Sequence, residues 1–219
     1  MKSFDRHERL LAISLSALAG YVDAVGYLIT GGFFVSFMSG NSTRLGVDIA
    51  DMSANAGVAA LLIGSFVVGV IIASLIGRAA GGRHRTVVPV LMVVLLAAAA
   101  GLGDMREDRL TAILMAVAMG VENIFFATGT DVRVGLTYMT GRLVKIGQQL
   151  AAALTGEDRW GWVPHVLLWA GLMSGGVAGA VAYLFIGSDA LWIAVAAAVV
   201  IAVLARGAGA VAKSSPGLD

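Results

Sequence analysis

Cysteine is absent from this chain, proline occurs only 3 times in 219 residues, and charged residues make up 13% of it. Without cysteine there are no disulfides, no thiolate nucleophile and no cysteine-built zinc or iron–sulfur site. Histidine is nearly as scarce. His7, His84 and His165 are far apart and near predicted segment ends, so no metal centre and no cofactor are expected. The few charges almost cancel, with 15 Lys and Arg against 14 Asp and Glu. No basic run alternates with aromatics, which excludes a nucleic-acid partner. No P-loop, nucleophile elbow or zinc-protease helix occurs, and no enzymatic activity is expected.

What is present is apolar. Hydrophobic residues reach 58% and the mean hydropathy is +0.88, whereas soluble domains carry about a quarter of their residues as charges. This composition predicts one all-α membrane domain over residues 1–219, with the lipid bilayer as its first partner. Apolar runs at 10–30, 55–77, 87–103, 110–130, 163–187 and 190–206 approach the length that crosses a hydrocarbon core of roughly 30 Å, predicting about six transmembrane helices. The basic head before the first run resembles a signal peptide. It is read as the start of the first span, because no secreted domain follows it. Trp160, Trp162, Trp169 and Trp192 lie at or near span ends, as interfacial aromatics do. Gly171, Gly175 and Gly179 form a small-residue face for helix packing.

Residues 33–52 and 132–154 interrupt the pattern, and they correspond to each other. "GYVDAVGYL" and "FMSGNSTRLG" set against "GVENIFFAT" and "YMTGRLVKIG" bring Gly20 to Gly120, Asp23 to Asn123, Gly40 to Gly141 and Gly46 to Gly147, at offsets of 100 and then 101. More weakly, Gly64 and Gly69 answer Gly171 and Gly176. The chain therefore reads as an internal repeat, with halves at about 9–104 and 109–210.

Charge sets the orientation. Lys2, Arg6 and Arg9 place the N-terminus in the cytoplasm, and Arg78, Arg83 and Arg85 place their loop there too. Two cytoplasmic loops are separated by an even number of crossings, so residues 33–52 must dip into the membrane and return. The same treatment of 132–154 leaves "GDMREDR" outside and both termini cytoplasmic. The repeats are then inverted, each three spans plus one re-entrant or broken helix.

Irregular backbone at membrane depth needs polar partners, because unpaired N–H and C=O groups each cost several kcal/mol in lipid. Ser39, Gly40, Asn41 and Thr43 in the first motif, with Thr140, Gly141 and Arg142 in the second, supply them. Asp23, Glu122 and Asn123 lie in the adjoining spans; intramembrane ionisable groups mark function by default. Asp23 and Asn123 each fall three residues past the middle of their runs, roughly 4–5 Å from the midplane at 1.5 Å per residue. These ten residues are the candidate substrate site. Asp23 has a structural alternative, pairing with a buried arginine or capping the broken helix. Arg44, Arg142 and Lys145 are its candidate partners, and Arg142 could equally hold a carboxylate or phosphate ligand or, with Lys145, snorkel to the cytoplasmic surface.

"GYVDAVGYL…FVSFMSGNSTRLG" with "MGVEN…YMTGRLVKIG" resembles the YoaK-like family of bacterial multipass inner-membrane proteins, classed as a domain of unknown function. The resemblance covers nearly the whole chain and implies a location in the bacterial inner membrane. Asp23 and Gly40-Asn41 stand in the family's places. The second motif departs from it, with Glu122 where the family usually has Gln, and Arg142 at a place that seldom carries a cation.

The function expected from these residues is secondary transport of a small polar or anionic solute, with Asp23 and Glu122 as candidate proton carriers. The alternatives are a passive channel of the same layout and a membrane assembly or lipid-interacting protein whose polar motifs only stabilise the fold. A homodimer would suit so small a bundle.

Overall fold

The computed structural model describes residues 6–81, 84–105, 108–125, 127–128, 131–132 and 139–213. Its helices are α1 (Arg6–Ile29), α2 (Met38–Ala50), α3 (Asn55–Ala80), α4 (His84–Asp104), α5 (Asp108–Asn123), α6 (Met139–Leu154), α7 (Val163–Ile186) and α8 (Ala190–Lys213). A two-residue antiparallel pair, β1 (Ala127–Thr128) and β2 (Asp131–Val132), follows α5. Long runs of Ala, Leu, Val and Ile build the helices, α4 carrying Pro89 inside it, and glycines stop two of them. Gly81 ends α3 at φ 52° and Gly187 ends α7 at φ 62°, a backbone region where side chains are strained. Pro164 falls at the start of α7, where its missing N–H costs nothing.

Among the described residues four helical stretches are long and apolar enough to cross a membrane: His7–Ile29, Asn55–Ala80, Thr86–Asp104 and Val163–Arg206, the last holding α7 and α8 around a short turn. The expected span at 110–130 is not among them: its helix, α5, is 16 residues long and stops at Asn123, against the roughly 20 residues of a full crossing. The outward faces of the long helices are oily: Val67, Val68, Ile71 and Leu75 on α3, and Val199, Val200 and Val203 on α8, are all exposed. Water would not tolerate such faces, and lipid does.

The helix directions follow from which ends meet. Gly171, Gly175 and Gly179 of α7 face Ile13, Ala17 and Tyr21 of α1 in rising order, so these two helices run the same way. α8 runs against α1, since the Tyr21 hydroxyl reaches the Ala190 carbonyl at one end (2.9 Å) and His7 lies 3.2 Å from the Leu204 carbonyl at the other. It also runs against α4, whose last residue, Asp104, accepts from Trp192 Nε1 at 3.2 Å. Short links reverse α3 into α4, α4 into α5 and α7 into α8. Helices α1, α4 and α7 therefore point one way, and α3, α5 and α8 the other. The chain leaves α1 and enters α3 at the same end of the bundle, so α2 makes no net crossing. By the same reasoning α6 makes none.

The tightest contacts are backbone on backbone. A Cβ added to Gly20 would strike the Leu172 carbonyl, and one on Gly175 the Ala17 carbonyl. Likewise a Cβ on Gly120 would strike the Phe66 carbonyl, and one on Gly69 the Val117 carbonyl. The α1–α7 crossing and the α5–α3 crossing are thus made in the same way. Contact for contact, Gly69 corresponds to Gly175, one residue short of the Gly176 expected from sequence. The Gly171, Gly175, Gly179 face is spent inside the fold, as the sequence suggested.

Candidate functional site

The first polar motif is built around a break. After Ile29 the chain leaves the helix at Gly31 and Gly32, with φ 67° and 117°. Residues 33–37 run without helical bonds until α2 begins. The Thr30 hydroxyl accepts the Phe33 N–H at 3.0 Å and lies 2.8 Å from the Gly26 carbonyl. Asn41 Oδ1 accepts the Phe34 N–H at 2.9 Å, and Asn41 Nδ2 donates to the Phe34 carbonyl at 2.6 Å. Asp23 Oδ1 accepts the Val35 N–H at 2.9 Å and the Ser36 N–H at 2.7 Å. Three consecutive backbone donors that a helix would have satisfied internally are thus satisfied by two side chains, one from each flanking helix.

The break lies below the end of α1. Asp23 is six residues before Ile29, or roughly 9 Å along the axis at 1.5 Å per residue, and it holds residues 35–36 at that depth. Val35 packs on Gly26, where a Cβ would come within 2.7 Å of its methyl carbon. Helix α2 therefore starts inside the bundle. Aromatic rings wall the break: Phe34 is 4.9 Å from Tyr27 and 5.3 Å from Phe37 between centroids. Gly40 fits under these rings, since a Cβ would approach Phe37 to 2.6 Å.

Arg44 is not the partner of Asp23. Its guanidinium donates to the Gly32 carbonyl and lies 4.1 Å over the Phe33 ring. Of the other motif residues, Ser39 is exposed and Thr43 bonds the Ser39 carbonyl of its own helix at 3.2 Å. Asp23 and Asn41 thus converge on the break, while Ser39 and Thr43 turn away from it.

The second half differs in chemistry. Glu122 is 1% exposed, and neither of its carboxyl oxygens has a hydrogen-bond partner among the described residues. Asn123, the counterpart of Asp23, donates to the Met119 carbonyl one turn back at 2.9 Å. On α6, Thr140 is exposed, Gly141 is half-buried and Arg142 is buried at 7% exposure. Residues 133–138, the counterpart of the first break, lie outside the described residues. Among the described residues no group of His, Cys, Asp and Glu could hold a metal ion.

Sequence reasoning missed the part of Thr30 and of the aromatic wall, although "GYL" and "GGFFVSF" carry the rings openly. It also missed two buried ties from α1, Ser16 to the Leu168 carbonyl at 3.0 Å and Tyr21 to the Ala190 carbonyl. Hydroxyls in an apolar run leave no periodic signal that names their acceptor.

The fold and the break define a helical membrane protein. The family described as "Protein of unknown function (DUF1275)" matches residues 11–204, and the chain belongs to it. A relative from Rhizobium meliloti (strain 1021), named UPF0700 transmembrane protein RA0705, is 35% identical over 188 residues, covering 84% of this chain and 79% of its own. No solved structure matches.

Proposed function

We propose that this chain is a small secondary transporter of the bacterial inner membrane, carrying a polar or anionic solute, with both termini in the cytoplasm. Two halves, 9–104 and 109–210, form an inverted repeat of three crossings each, and α2 and α6 are re-entrant elements. The opposed directions of α1 and α5, the matched glycine crossings and the absence of a net crossing by α2 and α6 support this arrangement.

One observation carries the reading: Glu122 is buried, and neither of its carboxyl oxygens has a hydrogen-bond partner among the described residues. An ionised carboxylate in such a place costs several kcal/mol unless something neutralises it. A group that only stabilised the fold would be paired. A carboxyl whose charge depends on a cavity opening couples proton movement to that opening, which is how a proton-driven carrier works. The role of proton carrier therefore falls to Glu122, and Asp23, whose Oδ1 accepts two N–H bonds, holds the break.

The test is reconstitution. Wild-type protein in proteoliposomes, screened against small anions, amino acids, nucleobases and aromatic acids, should take up at least one solute faster under an inward proton gradient. A folded protein with no uptake and no solute-induced melting shift across that panel would favour the assembly role instead.

A further inference from the structure

A second polar cavity lies away from the break, where the start of α1, the last turns of α6 and the start of α7 meet. Its volume is about 550 Å³, within the range of roughly 300–1,000 Å³ typical of small-molecule sites, and Arg9, Gln149, Asp158, Trp160, Gly161 and His165 line it. Asp158 is the one carboxylate in the lining. Arg142 and Lys145 lie within electrostatic reach of His165. At the lining itself Arg9 stands with Asp158, and Arg142 and Lys145 of α6 add positive potential on the His165 side; Glu157 and Arg159 are exposed on the α6–α7 link.

Two further details suit a ligand. Gly161 keeps the cavity open, because a Cβ there would collide with the Gln149 amide oxygen and come within 3.0 Å of an Asp158 carboxyl oxygen. Gln149 and Arg142 are seven residues apart on α6, about two turns along one face, so their Cα atoms are roughly 10 Å apart along the axis. The indole of Trp160 stacks near Trp162, with centroids 6.4 Å apart, giving the mouth a flat apolar wall.

We propose that this cavity is an anion-binding site for a phosphate or carboxylate group. Arg9 supplies the charge at the lining, Arg142 adds to the positive field from further along α6, the Gln149 amide and the His165 ring supply hydrogen bonds, and Trp160 covers the apolar part of the ligand. Both an anionic phospholipid headgroup and a soluble anion present this chemistry. The site stands whether or not the chain transports, since binding is measured without uptake.

Two arms distinguish the sources. In neutral detergent the purified protein is titrated with inorganic phosphate by calorimetry. In nanodiscs of phosphatidylcholine, with or without phosphatidylglycerol, retained lipid is read by native mass spectrometry. One arm should show saturable binding that Arg9→Gln and Gly161→Val each weaken tenfold or more, with Arg78→Gln, on the exposed end of α3, unchanged. If Arg9→Gln fails to fold, as its melting without anion will tell, Gly161→Val and Gln149→Leu carry the comparison. Three results would each overturn the site: no saturable binding in either arm, binding that the folded cavity variants leave intact, or an equal loss in Arg78→Gln.

Discussion

Replacing Asp23 separates pinning from proton carriage. In Asp23→Ala the Val35 and Ser36 N–H groups lose their acceptor in a place that water reaches poorly. Each such donor costs about 1–3 kcal/mol, so the pair costs about 2–6 kcal/mol. In Asp23→Asn an amide oxygen can still accept both bonds, but without charge. Charge-assisted bonds contribute about 1.5–3 kcal/mol and neutral ones about 0.5–1.5, which puts the loss near 2 kcal/mol for two bonds. For a domain of this size 1 kcal/mol moves the melting temperature by about 2–4 °C. The expected order is wild type, then Asn lower by about 4–8 °C, then Ala lower still, about 4–24 °C below wild type. Tryptophan fluorescence during heating in one detergent reads all three. If Asp23→Ala melts within about 2 °C of wild type, the pinning role is wrong. If Asp23→Asn melts normally and loses only pH-driven uptake, Asp23 and not Glu122 is the carrier.

Asn41→Leu removes both bonds to the Phe34 peptide and should destabilise by about 2–6 kcal/mol, lowering the melting temperature at least as far as Asp23→Asn does. Gly20→Ala and Gly120→Ala each drive a methyl into a backbone carbonyl across a helix crossing, and should lower melting by several degrees. Gly64→Ala, on an open face of α3, should raise it slightly, since alanine is favoured in helices by about 0.5–1 kcal/mol. Single cysteines can be placed in this cysteine-free chain. An impermeant thiol reagent applied to whole cells should label position 109 and spare position 79; labelling of position 79 from outside would overturn the inverted arrangement.

Much of the bundle was legible because lipid imposes a simple rule. A helix that faces lipid must be apolar on that face, so α1, α3, α4, α7 and α8 stand out as long runs. The break was legible for the same reason, since Gly40-Asn41 and Asp23 have no place in an oily helix unless backbone needs them. The end of α5 was not legible. "GVENIFFATGTDVRVG" continues the apolar run beyond Asn123, and hydropathy does not register where helical bonding stops. Nor could the spacing say whether Asp23 titrates or pins, because that depends on donors twelve and thirteen residues away that only the fold brings together. The one-residue shift between Gly69 and Gly175 escaped for a similar cause. In a chain with 29 glycines several registers align almost equally well, and only carbonyl contacts choose among them.

The transport reading rests on Glu122, and Glu122→Gln tests it most directly. Gln has nearly the same shape and cannot carry a proton, and an unpaired buried acid loses little when neutralised. The variant should therefore fold and melt at or slightly above the wild-type temperature. Measured in proteoliposomes with a solute found by screening, wild type should show uptake driven by a proton gradient, and Glu122→Gln should lose that drive while keeping solute exchange. Gradient-driven uptake by Glu122→Gln at the wild-type rate would contradict the account.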